Sequence, residues 1–362
     1  MTTPSTPMDG PVPAGAPAAP VRPAREGEIP SRRERSVPYA GWLVIARKEF
    51  SDHLLSARFV ILLIVIGIAA IVPLYFAADA IRNAASGSLP SARFLALFWY
   101  GPPVANGQVT LPSVAGFLAI VGPLLGLVFA FDAVNGERAA GTLPRLLSQP
   151  IHRDDVINGK FTAGLAIIGL VLVVIVAGIA AFGIIRIGIV PTAAEILRLL
   201  LWIVLTLIYV SLWLAFGMVL SVVARSAATS ALIGFGTWVF LIILGGLIVP
   251  LVQGLVAPLA GITDVGTYLQ NKGLQELIQR VLPDEQFREA SLVLLNPQVM
   301  SRDISTPTTI GGIAQAQQQI PSILSLDQSF ILVWPQVVAL VAVMVALFAI
   351  AYVKFMRQEV RA

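Results

Sequence analysis

The sequence has no cysteine, only two histidines among 362 residues, and just 12% Asp, Glu, Lys and Arg. The first absence excludes disulfides, thiolate metal sites and a cysteine nucleophile. The second leaves His53 and His152 to supply imidazole: His53 has no second His or carboxylate pair at ligand spacing, and His152 is flanked by Arg153, Asp154 and Asp155 in a polar loop. Both read as surface residues rather than ligands or bases. The scarcity of charge says most. With 57% hydrophobic residues and a mean hydropathy of +0.84, the chain holds more apolar surface than one soluble core can bury, so lipid is its solvent. The net charge of +4 fits an excess of Lys and Arg on cytoplasmic loops and does not point to nucleic acid.

What is present falls into a clear order. Residues 1–38 contain nine prolines and almost no large apolar side chains, so they read as a disordered tail. The tail lacks the apolar core of a secretory signal peptide, and its five arginines resist translocation. From Tyr39 to Arg58, Trp42, Ile45, Ala46, Phe50, Leu54 and Ala57 recur at helical spacing, while Arg47, Lys48, Glu49 and Asp52 lie mostly elsewhere around the turn. Two readings stand: an amphipathic helix (39–58) in the membrane interface, its apolar face on acyl chains, or a simple basic flank to the first span.

Six uncharged apolar runs follow, at about 59–78, 113–131, 161–185, 199–223, 230–252 and 330–353. Each is near the ~20 residues that cross ~30 Å of hydrocarbon. The fold class is therefore all-α, a polytopic membrane protein with six transmembrane helices. An even number of spans puts both termini on one side, and that side carries 16 of the 24 Lys and Arg, which makes it cytoplasmic. No span has an ionisable residue in its interior, which disfavours an ion-coupled carrier. Polar residues in the spans (Thr162, Thr206, Tyr209, Ser211, Ser221, Ser230, Thr237) read as interhelical hydrogen-bond partners. Gly217, Gly234, Gly236, Gly245 and Gly246 read as close-packing points.

On the outer side, the Phe98-Trp99-Tyr100 cluster suggests a loop anchored at the headgroups. The long segment 253–329 needs structure of its own. Helices over Tyr268–Val281 and Glu285–Leu295 would make it a small extracytoplasmic cap or a solvated hairpin. On the inner side, the loop 132–160 is the one long polar interruption among the apolar runs. Asp132 and Glu137 open a polar turn, and Gly136 and Gly141 break helical continuity. Thr142 then caps a short helix with Pro144 in its first turn and Leu143, Leu146 and Leu147 along one stripe. Two exposed turns are not stable alone, so this helix docks on a protein partner or rests on lipid.

The run Glu137-Arg-Ala-Ala-Gly141-Thr142-Leu143, then Leu146-Leu147-Ser148-Gln149-Pro150-Ile151 and Gly159-Lys160, resembles the cytoplasmic loop of permease subunits of type-two ABC transporters. These are exporter-class permeases such as those of drug-efflux, gliding-motility and nitrous-oxide-reductase maturation systems. Arg47-Lys48-Glu49-Phe50 before the first span and the Ala224-Arg225-Ser226 turn are similar to that family too. The resemblance implies a transport subunit, not an enzyme, with no cofactor of its own. Its partners would be an ABC ATPase subunit that holds ATP and Mg, and a second permease copy or a sister permease. Thr142 to Ser148 would be a coupling helix seated in the ATPase. Glu137, Gly141, Thr142, Leu143, Arg145, Leu146 and Leu147 would form the contact, and Glu137 would pass movement to the second span. The chain has no Gly-x-x-x-x-Gly-Lys-[Ser/Thr] loop, so the nucleotide site would lie in the partner. With no importer-type Glu-Ala-Ala loop on the cytoplasmic side, the expected direction is export, across the plasma (inner) membrane. A passive channel, a secondary carrier and a membrane-embedded enzyme remain as alternatives.

Overall fold

The computed structural model describes residues 41–85, 94–101, 103–104, 109–144, 151–262, 264–296 and 324–358. The expected disordered tail, Arg145, Leu146 and Leu147 lie outside them, as do residues 359–362 of the cytoplasmic tail expected at 354–362. Twelve α-helices are used here: α1 Gly41–Leu54, α2 Ala57–Ala85, α3 Ala96–Trp99, α4 Val114–Val128, α5 Asn135–Ala139, α6 Arg153–Phe182, α7 Ala193–Val223, α8 Ala227–Ile243, α9 Val249–Val256, α10 Val265–Gln279, α11 Pro283–Leu295 and α12 Leu326–Met356. Wider π-helical turns extend α6 over Gly183–Ile187 and join α8 to α9 over Leu244–Ile248. Among the described residues the β structure is a two-residue antiparallel pair, Pro103–Val104 with Val109–Thr110.

The protein is an all-α, multi-pass membrane protein. Among the described residues five helical segments are long and apolar enough to cross a bilayer: α2, α6 with its π turn, α7, α8 through α9, and α12. The sixth, α4, has 15 residues, roughly 22 Å at about 1.5 Å per residue, and falls short of the hydrocarbon thickness. Hydrogen-bonded turns carry its chain on through Ala130, Phe131 and Ala133 to α5, so the second span is a broken helix. The expected span limits are otherwise exceeded at both ends: the third begins at Arg153 rather than 161, and the last runs from Leu326 to Met356 rather than 330–353.

The helices start where side chains satisfy their free amides. Ser113 accepts from Gly116 N, Ser226 from Thr229 N, and Thr192 and Glu195 cap each other's backbone amides. Helix α7 is the axis of the bundle: 61% of its apolar window is buried inside the chain, against none of the α8–α9 window. Helix α4 approaches it most closely at Gly126, where a Cβ would sit 2.5 Å from the Val210 carbonyl and 2.6 Å from Leu214 N. Gly217 and Gly234 are close-packing points as expected, whereas Gly236 and Gly246 meet nothing within 4 Å. Of the span hydroxyls, Tyr209 and Ser221 do bond across helices, to Ala119 O and from Val134 N, and Ser211 lies against Met344. Thr162, Thr206 and Thr237 instead bond the carbonyl four residues back in their own helix.

Three sequence expectations change at this level. The aromatic anchor near Phe98 turns inward: Phe94, Leu95, Leu97 and Phe98 are buried, and the Phe98 ring packs on Trp202 at 5.5 Å. The apolar face of α1 is divided: Trp42 and Leu54 stay exposed while part of it packs on protein. Ile45 and Ala46 are buried against the first turns of α6, where Gly159 leaves room for Ile45 and the Trp42 carbonyl. The second expected helix of the 253–329 segment, α11, does not stand apart from the bundle. Helix α11 inserts into it, with Phe287, Ala290, Ser291, Leu294 and Leu295 buried against α7 and α12. Phe287 stacks on Tyr209 at 4.5 Å, and Tyr209 lies roughly 24 Å along α7 from Ala193. Most apolar residues of α10 remain exposed, among them Leu269, Leu274 and Leu277, and such a face needs lipid or a partner.

Candidate functional site

The loop that follows α4 is tied to four helices at the end of the bundle where α1, the α7–α8 turn and the end of α12 also lie. Its first clamp is Arg58, which pairs with Asp132 at 2.6 Å and stacks over the Phe131 ring. Its second is Ser221 of α7, whose hydroxyl accepts from Val134 N at 2.9 Å and Asn135 N at 3.3 Å. Those contacts satisfy the free amides at the start of α5 from a neighbouring helix. Its third is Arg138, which donates to Gln358 Oε1 at 2.7 Å, while Arg153 reaches the Gln358 carbonyl and Gln358 Nε2 reaches Val222 O.

The fourth clamp is the centre of the site. Lys160 is buried, 4% exposed at its side chain, and its ammonium lies 2.7 Å from Glu137 Oε1 and 3.0 Å from Glu49 Oε2. Glu137 belongs to the loop, Glu49 to α1 and Lys160 to α6, so one cation joins three elements that are far apart in sequence. A buried ammonium is tolerated where carboxylates replace its water, and two carboxylates leave the cluster with a net negative charge. Lys48 partly offsets it, 3.2 Å from Glu49 Oε1 and 3.1 Å from Asp52. Burial raises the Glu49 carboxyl, but Lys160 and Lys48 outweigh it and hold the group below its usual range. Burial pushes His53 below its ordinary value, more than neighbouring Glu49 raises it, and its ring meets Phe129 edge-on at 5.3 Å. Glu137 Oε2 is buried without a hydrogen-bond partner among the described residues.

The rest of the α1–α6 seam is close. Asp155 Oδ1 accepts from Trp42 N at 3.1 Å and Asp155 Oδ2 from His152 N at 3.2 Å. Of the expected interfacial residues, Trp42, Arg47 and Lys48 are exposed while Glu49 and Phe50 are half-buried on the seam. Of the expected coupling residues, Glu137 lies in α5, a helical turn where the sequence suggested only a polar turn. Gly136 is accommodated within α5 and does not break it. Gly141 follows with φ +67°, the left-handed conformation that suits glycine. Thr142 donates both its N–H and its hydroxyl to the Glu137 carbonyl, so it closes the C-terminal end of α5. Leu143 is 4% exposed. Gly159 and Lys160 were part of the sequence pattern, but nothing in the spacing showed that Lys160 would meet both carboxylates.

The stretch that holds α1, this loop and the long apolar helices is matched along nearly the whole chain by one family. The profile of the family described as "ABC-2 family transporter protein" matches residues 43–360. The chain belongs to the ABC-2 transporter family. It is also similar to two curated proteins, each named "Probable ABC transporter permease protein NosY". The one from Stutzerimonas stutzeri is 27% identical over 205 residues, 55% of this chain and 66% of that protein. The one from Pseudomonas aeruginosa is 34% identical over 94 residues, 23% of this chain and 34% of that protein. The chain thus spans just under two thirds of the length of the first relative and about a third of the second. As an ABC-2 member it is the membrane subunit of an ABC transporter.

A second group of polar residues could not be read from the spans. Packing of α11 brings Asp284 and Glu285, both half-buried, and the exposed Arg288 to the region of Tyr209 and Trp213.

Proposed function

We propose that the protein is the permease subunit of an ATP-driven exporter. A separate ATPase subunit docks on the 132–160 loop, and two permease copies, or this chain and a sister permease, form the pathway. The loop end faces the cytoplasm, as the concentration of Lys and Arg there requires, and the membrane is the plasma membrane. ATP and Mg belong to the ATPase partner, and the permease performs no covalent chemistry. The observation that carries the reading is Lys160 bridging Glu137 and Glu49. A push on the loop displaces Glu137, and through Lys160 the same displacement reaches α1 and the first turns of α6. Three elements then move as one body, which suits a rigid two-state change between inward- and outward-open packings. Gly141, Thr142 and Leu143 set the exit from α5 toward the ATPase, and Arg145, Leu146 and Leu147 provide the contact.

The α11 charges favour one other reading, a carrier driven by a coupling ion, because they place ionisable groups beside the spans. Purification in mild detergent from the native membrane separates the two. The permease reading expects an ATPase with a phosphate-binding loop in equal amount, lost from the Leu146→Asp, Leu147→Asp variant while membrane insertion is retained. Recovery of the unaltered chain without an ATPase, or unchanged association of the variant, contradicts it.

A further inference from the structure

A cavity of 340 Å³ lies between α4, α7, α8 and the turn from α10 to α11. Its aromatic walls are Tyr209, Trp213 and Trp238, and its polar end is made by Asp284, Glu285 and Arg288. The walls are fixed before any ligand arrives. Tyr209 donates to the Ala119 carbonyl at 2.6 Å and stacks on Phe287, and the Trp238 indole N–H donates to the Ile120 carbonyl at 2.8 Å. The α8 backbone widens into a π turn over Leu244–Ile248, which brings Gly245 and Gly246 to the lining, and a Cβ on Gly246 would meet nothing within 4 Å. Single π turns inside helices recur at functional sites, and here the turn opens space where α8 borders the cavity.

Charge selects the ligand. Arg280 and Glu289 pair with each other, which leaves two carboxylates and one guanidinium at the cavity, a net charge of −1. An anion meets repulsion there, and a purely apolar molecule leaves the carboxylates without compensation. Tryptophan faces attract cations further. The surrounding α8–α9 surface is apolar and exposed, so a ligand that enters from the bilayer must carry an apolar body as well as its charge. The volume lies within the roughly 300–1,000 Å³ of small-molecule pockets.

We propose that this cavity binds an amphipathic organic cation, its apolar body between Trp213 and Trp238 and its charge at Asp284 and Glu285. The assignment of that cation as the transported substrate rests on the permease reading; its binding does not. The test is equilibrium binding of radiolabelled tetraphenylphosphonium to the full chain in nanodiscs of neutral lipid. It is run without nucleotide and referenced to empty nanodiscs, with tetraphenylborate as the anion of matching shape. The expected result is saturable binding of the cation and not of the anion. Affinity should weaken by at least about tenfold in Asp284→Asn, Glu285→Gln and separately in Gly245→Trp, whose side chain grows toward Leu282 of the lining and alters no charge. Both variants are compared only as monodisperse protein. Equal binding of the anion, or unchanged affinity in both variants, overturns the proposal. Saturable cation binding by a chain that recovers no ATPase leaves the site standing and removes the permease reading; an associated ATPase with no cation binding does the reverse.

Discussion

Each end of the bundle buries one cation, and the two are held differently. Lys160 sits between two carboxylates from separate elements. Arg198, 5% exposed in α7, donates to neutral acceptors: Ser329 Oγ at 2.9 Å, the Leu294 carbonyl at 3.4 Å and the Leu324 carbonyl. Leu294 belongs to the last turn of α11, so the guanidinium caps a helix C-terminus, where positive charge is favoured. It also ties the start of α12 to the same point. Carbonyl partners have fixed positions, and such a clamp holds one arrangement. Carboxylates on flexible side chains can keep an ammonium while their backbones shift, and they titrate. The difference assigns anchoring to the Arg198 end and transmission to the Lys160 end.

The largest expected effect is at Arg198. Arg198→Met leaves the Leu294 and Leu324 carbonyls and the Ser329 hydroxyl without their donor, at about 1–3 kcal/mol each, and should abolish monodisperse protein or lower the thermal midpoint sharply in detergent. Lys160→Met should cost less, because Glu49 and Glu137 are partly solvated, and combining it with Glu49→Gln and Glu137→Gln should restore most of the loss. Equal loss at the two cations, or no restoration, would break the comparison.

A smaller effect follows from acid. His53 and Glu49 both have folded-state values below their ordinary 6.5 and 4.5. Such groups contribute fully above the ordinary value, and the contribution is lost as pH falls through the depressed one. The α1–α6 seam should therefore loosen first below about pH 6.5 through His53, then below about 4.5 through Glu49. Hydrogen exchange of residues 41–54, corrected for intrinsic rates, should show protection falling over that range, and a His53→Phe variant should lose the upper part of the transition. Protection constant from pH 7 to 4 contradicts the assignment.

Apolar length and loop charge made the spans legible in sequence, because lipid imposes both. The pattern Glu137 to Thr142 and the helix around Glu49 were legible for the same reason: polar residues stand out in an apolar chain. The Lys160 bridge was not, because contact between Glu49 and a residue 111 positions away depends on how α1 folds back over Gly159. Nor was the insertion of α11. Its sequence is amphipathic, and amphipathicity alone does not separate a helix on a membrane surface from one packed among spans. Ser221 read as a polar handle between helices, and capping α5 is a role that only the bend after α4 creates.

The absence of cysteine permits the most direct test, because a single introduced thiol is unambiguous. Ile242→Cys, at the exposed edge of the cavity, would be labelled with a maleimide in the reconstituted permease–ATPase complex with and without ATP. The account predicts that ATP changes the labelling rate in the otherwise unaltered chain. Adding Lys160→Met should leave the ATPase bound but remove the ATP response. A Lys160→Met complex that answers ATP as the parent does would contradict the claim that Lys160 carries the movement.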